Sequence, residues 1–281
     1  MAKKKAFCEL QFSDAFMFAA AMEDEEICRQ VLERVLGIPI KKVRVRTEST
    51  LLVNSDYRCV RLDVDADEED QSAFNAEMQT SRKKNLPKRT RLYQSERDVA
   101  SLKPGADFND LPKSFIIFIC TFDPFGHGLY RYTFANRCQE TGEELGDEAY
   151  KVFLNTKGKN DADEPPELVD FLKYVGDASH AENHPEDELI HRIESRITYI
   201  KRDREMEVKY MKFSEMLSDE RQEGKAEGRA EGRREGRQTE RDNLFRLMDL
   251  MEADGAADKI PLLRKDAGFL QEMYKKYHIE D

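Results

Sequence analysis

The chain predicts an α/β fold: a helix, three strands, a second helix and a further strand, followed by extra strands and a C-terminal helical region. Three observations carry this expectation. Two alternating stretches, Val60 to Val64 and Phe74 to Met78, flank an acidic turn and read as a β-hairpin. A continuous apolar run from Phe115 to Cys120, bounded by Pro112 and Pro124, suits a strand buried on both faces at the centre of a sheet. Stretches on either side carry apolar residues at helical spacing.

Composition narrows the class. Charged residues make up 37 % of the 281 positions and apolar ones 39 %, enough for one core but not for a chain buried throughout. A net charge of −11 argues against a protein that coats nucleic acid nonspecifically, so any such contact must be a local basic patch. The five cysteines have no zinc-ligand spacing and read as reduced. The opening Met-Ala-Lys-Lys-Lys is followed by no apolar h-region, and no run of about 18 apolar residues occurs, so the expectation is a soluble, cytoplasmic chain with no membrane partner.

Asp14 to Leu36 reads as one helix with Ser13 as N-cap, a stripe including Phe16, Ile27, Val31 and Val35, and a stop at Gly37 and Pro39. Asp14 would favour the positive end of its dipole. Ile40 to Val53 reads as the first strand, with Arg44 and Arg46 on either a solvated face or a groove for nucleic acid. In the hairpin that follows, symmetry about Asp70 pairs Asp63 with Glu77. Directly opposed side chains have Cβ atoms about 4.5–5.5 Å apart, and two like charges there repel. Mg²⁺ between them would reverse that, since it takes carboxylate oxygens at about 2.0–2.1 Å and keeps several waters. Asp65 and Gln79 lie one pleat away. The other reading is the solvent-exposed polar face of an edge hairpin.

Arg82, Lys83, Lys84, Lys88, Arg89 and Arg91 follow at once, as either a phosphate-binding cluster or a solvated basic loop. Lys88 to Leu102 reads as the second helix, ended by Pro104-Gly105. Arg89 and Tyr93, four apart, share a face. Tyr93 is then either a core aromatic or part of a face that closes over the hairpin and brings Arg89 to a phosphate. After the central strand, Leu129 to Phe134 and Lys151 to Leu154 read as flanking strands, and His127 as turn polarity.

The boundaries expected are 1–160 for the core, 161–220 for a linker and long helix, 221–243 for a connector and 244–281 for a helical segment. Leu168 to Val175 reads as a short helix, Glu186 to Ser218 as one long one, and Leu244 to Met251 and Pro261 to Tyr277 as two closing helices suited to self-association. Between them lies the repeat EGKA, EGRA, EGRR, EGRQ. Four glycines at about 1 kcal/mol each destabilise a lone helix. The repeat therefore reads as a flexible connector, or as a helix stabilised when its Gly stripe admits another chain.

Several segments together resemble one family. They are Asp14-Ala-Phe-Met-Phe18, Asp63 with Glu77-Met78-Gln79, Leu86-Pro-Lys-Arg-Thr-Arg-Leu-Tyr-Gln-Ser95, Phe118-Ile-Cys-Thr-Phe-Asp-Pro-Phe-Gly126, Phe153-Leu-Asn-Thr-Lys-Gly158 and the Glu-Gly repeats. The set resembles the PD-(D/E)XK nucleases, and more narrowly their recombination-promoting nuclease and transposase branch, from Ser13 to Arg237. The resemblance implies a restriction-endonuclease-like core and Mg²⁺-dependent (or Mn²⁺-dependent) DNA breakage. Its metal ligands would be Asp63, Glu77 and the Met78 carbonyl. Asp63, Glu77 and Gln79 would be catalytic, and Arg82, Lys83, Lys84, Lys88, Arg89, Arg91 and Tyr93 would meet DNA. Asp14 and Asp65 are accessory candidates, and the C-terminal helices would join copies into a homo-oligomer.

Two positions depart from the pattern. Leu62 stands where the family name has proline. Gln79 stands where most relatives carry Lys, and it can orient water but brings no charge. The second departure favours an alternative, a weak or inactive DNA-binding or assembly protein that keeps the fold. No P-loop, GxSxG or zinc-finger spacing supports other phosphate chemistry.

Overall fold

The computed structural model describes residues 5–46, 63–68, 72–82, 84–179 and 186–279. Its elements are α1 (Ala15–Met22), α2 (Glu25–Leu36), β1 (Val43–Arg46), β2 (Asp63–Glu68), β3 (Ser72–Gln79), α3 (Leu86–Ser101), β4 (Lys113–Cys120), β5 (Arg131–Phe134), β6 (Ala149–Asn155), α4 (Pro166–Gly176), α5 (Glu188–Arg202), α6 (Arg204–Ala253) and α7 (Ala267–Lys276). The chain divides into two compact units, Met1–Phe213 and Ser214–Asp281.

The first unit is built on a six-stranded mixed sheet in the order β1-β2-β3-β4-β6-β5. It is the α/β core expected from the order of elements, in the restriction-endonuclease-like arrangement that the resemblance implies. β1, β2 and β3 form an antiparallel meander. α3 then carries the chain over to β4, which pairs parallel with β3 and with β6. β5 closes the far edge antiparallel to β6. The apolar run Phe115 to Cys120 is β4, buried on both faces as its composition requires.

Strand parity sorts β3 into two faces. Phe74, Ala76 and Met78 are buried on one, and Phe74 stacks on Phe115 at 5.6 Å. Asn75, Glu77 and Gln79 take the other, in register with Ile116, Phe118 and Cys120. That polar face is not solvated, which rules out the exposed edge hairpin. β3 lies between two strands, Asn75 and Gln79 are 7 % and 6 % exposed, and α3 reaches this face through Arg89, which meets Glu77. α3 turns Leu86, Thr90, Tyr93, Gln94 and Arg97 inward. Leu86 and Tyr93 join Ile116, Phe118, Cys120, Tyr132 and Phe153 in one cluster.

The helix expected over Asp14 to Leu36 is two helices. The Asp24 carboxylate accepts from the N–H groups of Glu26 and Ile27, both at 3.1 Å, and starts α2 afresh. α1 is buried on every side, whereas α2 buries one stripe, so a break lets each pack separately. The N-cap position of α1 is Asp14 rather than Ser13. Gly37 ends α2 at φ 69°, a left-handed conformation open to glycine. The helix expected from Glu186 to Ser218 is likewise divided at Asp203, which accepts from Glu205 N–H at 2.8 Å. Residues 47–53 of the first expected strand, 60–62 of the hairpin, Cys59, His180 and His184 lie outside the described residues.

The segment after β6 shows why its sequence is restrictive. Asn155, fully buried, donates to the Leu129 carbonyl at 2.9 Å and accepts from Lys157 N–H at 2.8 Å. Gly158 then lies flat against Tyr130. A Cβ there would meet that ring at 2.3 Å, and the ring is held by its hydroxyl on Asp161 at 3.1 Å. Gly158→Ala is therefore expected to destabilise the first unit by about 1–3 kcal/mol, the cost of overpacking. A lower urea midpoint at unchanged m-value would show it.

In the second unit the Glu-Gly repeat is helical, part of the uninterrupted α6, and not a flexible connector. Nothing lies within 4 Å of where a Cβ would stand at Gly224, Gly228, Gly232 or Gly236. Leu247 and Met251 pack with Leu263 and Ile279 into a small core of its own. The single helix expected from Pro261 to Tyr277 is a tight 3₁₀ segment, Ala257–Arg264, followed by α7. Asp266 caps α7 by accepting from Gly268 and Phe269 N–H.

Candidate active site

The β2–β3 register sets Asp63 opposite Glu77, with Val64 opposite Ala76 and Asp65 opposite Asn75. This is the pairing that symmetry about Asp70 predicts. The side chains of Asp63 and Asp65 lie outside the described residues, and Glu77 anchors the described part of the site.

Glu77 projects from the centre of the sheet toward α3, and its side chain is 12 % exposed. A carboxylate so placed needs a positive partner. α3 supplies one: Nη2 of Arg89 lies 2.5 Å from both Glu77 oxygens. The Gln79 side-chain amide, two residues along the same face, also donates to Glu77 Oε1. The Arg89 guanidinium donates to the Tyr93 hydroxyl at 2.7 Å from Nη2 and 3.2 Å from Nε. It also sits over two rings, 5.3 Å from the centroid of Tyr93 and 5.4 Å from that of Phe118. Burial works against its charge, but the Glu77 carboxylate and the Tyr93 hydroxyl outweigh that and raise its pKa above the ordinary guanidinium value. Tyr93 is a core aromatic with its hydroxyl at the site. Its ring stacks on Phe118 at 6.1 Å in the core, and its hydroxyl reaches the site.

The remaining candidates divide. Lys84, Lys88 and Arg91 are exposed around the start of α3 and free to meet a large anion. Arg82 donates to the Asp123 carbonyl at 2.6 Å and lies over Phe122, which ties it to the loop after β4. Lys83 lies outside the described residues. The Asp14 carboxylate is held by Lys5, at 2.9 and 2.8 Å, and by Gln11 N–H at 2.8 Å. Cys120 is in register with Gln79, but burial pushes its thiol up to about 12, so it offers the site no thiolate.

Two organising residues escaped the sequence reading. Arg97, one face of α3 further on, donates to the Ala66 carbonyl at 2.8 Å and to Asp67 at 2.6 Å, pinning β2 to the helix. Asp123 organises the loop between β4 and β5. It accepts from the N–H groups of Phe125, Gly126 and Gly128 at 3.1, 2.8 and 2.7 Å and from the Tyr132 hydroxyl at 2.8 Å. An Asp followed by Pro and two nearby glycines is the signal that could have found it.

Burial alone would raise the Asp123 pKa, but the Gly128 and Gly126 N–H groups, then Tyr132 and Phe125, hold it below its ordinary 3.8. A depressed carboxylate stabilises the fold above its unfolded value, and that stability is lost as pH falls through the folded value. The wild type is therefore expected to exceed Asp123→Asn in stability near neutrality, with the gap closing below pH 3.8. Urea midpoints taken across that range check the sign.

The donor set fits a hard divalent cation. Glu77 offers hard carboxylate oxygens with no thiolate beside them, and a point between those oxygens already holds a positive group. Among the described residues no three His, Cys, Asp or Glu side chains gather into a metal group. No helix among them is long and apolar enough to cross a membrane.

No curated protein and no solved structure matches the chain significantly. The family model described as PD-(D/E)XK nuclease family transposase matches residues 12–227, a span that holds all six strands and the Glu77 site. With most of its length matched, and with the helix–strand order and acidic hairpin in place, the chain belongs to the PD-(D/E)XK nuclease family transposases.

Proposed function

We propose that the protein is a metal-dependent endonuclease that hydrolyses phosphodiester bonds in DNA, in the service of DNA recombination or transposition. The observation that carries this is the register of Asp63 opposite Glu77 on a sheet face roofed by Arg89 and Tyr93. Asp63, Glu77 and the Met78 carbonyl would hold Mg²⁺ or Mn²⁺. When bound, the ion would polarise the phosphate and lower the pKa of its water. Gln79 would orient that water. Lys84, Lys88 and Arg91, with Arg82 and Lys83 beside them, would hold the DNA backbone, and charge on the reacting phosphate would be met by Arg89. Asp65 and Asp14 are proposed only as accessory groups at the edge of the site.

The test is supercoiled plasmid with purified protein and Mg²⁺, set against Asp63→Ala, Glu77→Ala and a chelator. Cutting by the wild type alone supports the proposal. Equal cutting by all three proteins assigns the activity elsewhere.

A second reading is favoured by Gln79 and by the Arg89 ion pair that already neutralises Glu77. It is a DNA-binding or assembly protein without catalysis, and it predicts DNA retention without metal, unchanged in Glu77→Gln. Either protein would act as a homo-oligomer joined through its C-terminal helical unit. Along α6, Glu223, Glu227, Glu231 and Glu235 recur every four residues, and so do Lys225, Arg229, Arg233 and Arg237. Like charges at that spacing repel on a single helix. A second copy aligned in parallel would set each acidic row beside a basic one.

A further inference from the structure

We propose that Arg89 is the resident counter-cation of Glu77 and competes with a divalent ion for its carboxylate, leaving Glu77 for a substrate phosphate when the ion takes its place. The inference rests on Glu77 being a metal ligand, as read above.

One nitrogen, Nη2, lies 2.5 Å from both carboxylate oxygens, so a cation held by either oxygen would meet the guanidinium charge. Arg89 and an ion therefore compete for the carboxylate. A guanidinium is protonated at any working pH, so the conflict cannot be relieved by losing a proton. Glu77 is mostly buried, so without a metal it would be an uncompensated charge under α3, and Arg89 removes that penalty. Withdrawal does not cost Arg89 its seat. The Tyr93 hydroxyl and the Tyr93 and Phe118 rings hold it independently of Glu77. A short swing about these anchors leaves a charged fork above the sheet face with its carboxylate gone, suited to a phosphate oxygen. Gln79 must make the same adjustment, because its amide also donates to Glu77 Oε1. Arg89 is thus a positioning residue in the metal-free protein and touches substrate only after exchange.

Removing a competitor should tighten metal binding, an outcome that mere structural damage would not produce. The experiment titrates Mn²⁺ into full-length protein without DNA and follows the free-ion electron paramagnetic resonance signal. The proteins are the wild type, Arg89→Met, Arg89→Lys and Glu77→Gln, each checked by circular dichroism. Arg89→Met is expected to bind Mn²⁺ about tenfold tighter or more, the scale of one charged hydrogen bond. Arg89→Lys, a point charge without the fork, is expected between it and the wild type, and decides the matter if Arg89→Met does not fold. Binding by the Arg89 variants equal to or weaker than the wild type overturns the competition while leaving the metal reading intact. Equal binding by Glu77→Gln and the wild type overturns the metal reading and the competition with it.

Discussion

Glu77→Ala is expected to lower metal-dependent DNA cutting by at least about 100-fold and to weaken the fold as well. The catalytic loss follows from removing a proposed ligand, since even partners one step removed from a metal cost about 10–100-fold. The stability loss has a different origin. Arg89 is 20 % exposed and its charge is balanced by Glu77. Truncating one member of a buried pair leaves the other uncompensated and costs about 3–5 kcal/mol. The two effects separate experimentally. Urea unfolding reports the second, and cutting rates measured well below the transition report the first. Combining Glu77→Ala with Arg89→Met should restore much of the stability and none of the cutting. If the double variant were no more stable than the single one, the ion pair would not be the source of the loss.

Arg97→Met should destabilise the first unit by about 3 kcal/mol and slow cutting, although the hydrogen bonds it removes run to β2 and not to Glu77. Arg97 is 7 % exposed, and its guanidinium joins α3 to the Ala66 carbonyl and the Asp67 carboxylate of β2. Methionine fills similar volume but leaves Asp67 without that partner. β2 also carries Asp63, four residues before Asp67. Loosening that strand would let Asp63 drift from its register position, and a misplacement of about 1 Å can cost about 100-fold in rate. Arg97→Lys keeps the charge without the fork and should fall between. Loss of stability with cutting unchanged would mean that β2 is held in place by its strand neighbours alone.

Much of the sheet was legible in the sequence because period-two patterns leave little freedom. A one-residue slip of the hairpin would reverse every side chain, so the positions of the turn and the alternating residues fix Asp63 against Glu77. The proline-bounded run could only be a strand buried on both faces. The partner of Arg89 was not legible. Spacing puts Arg89 and Tyr93 on one face of α3, but which sheet residue that face meets depends on how the crossover seats the helix. The break at Asp24 was missed because one acidic residue among several looks the same as a cap or as a helix surface, and only the orientation of α2 selects the cap. For the Glu-Gly repeat, propensity left a connector and a helix both open, and the segment is helical, because propensity is a weak prior that context overrides. Nothing within the described chain touches the glycine face, and the physical source of its helicity is not visible there.

Asp63 and Glu77 are proposed to share one divalent ion. A crystal structure of the protein grown with Mn²⁺, read by the anomalous signal of the metal, tests it most directly. A single strong peak is expected about 2.0–2.2 Å from a carboxylate oxygen of each residue, with Arg89 withdrawn from Glu77. A peak elsewhere, or Glu77 still bound to Arg89 with Asp63 turned to the opposite face of the sheet, would contradict it.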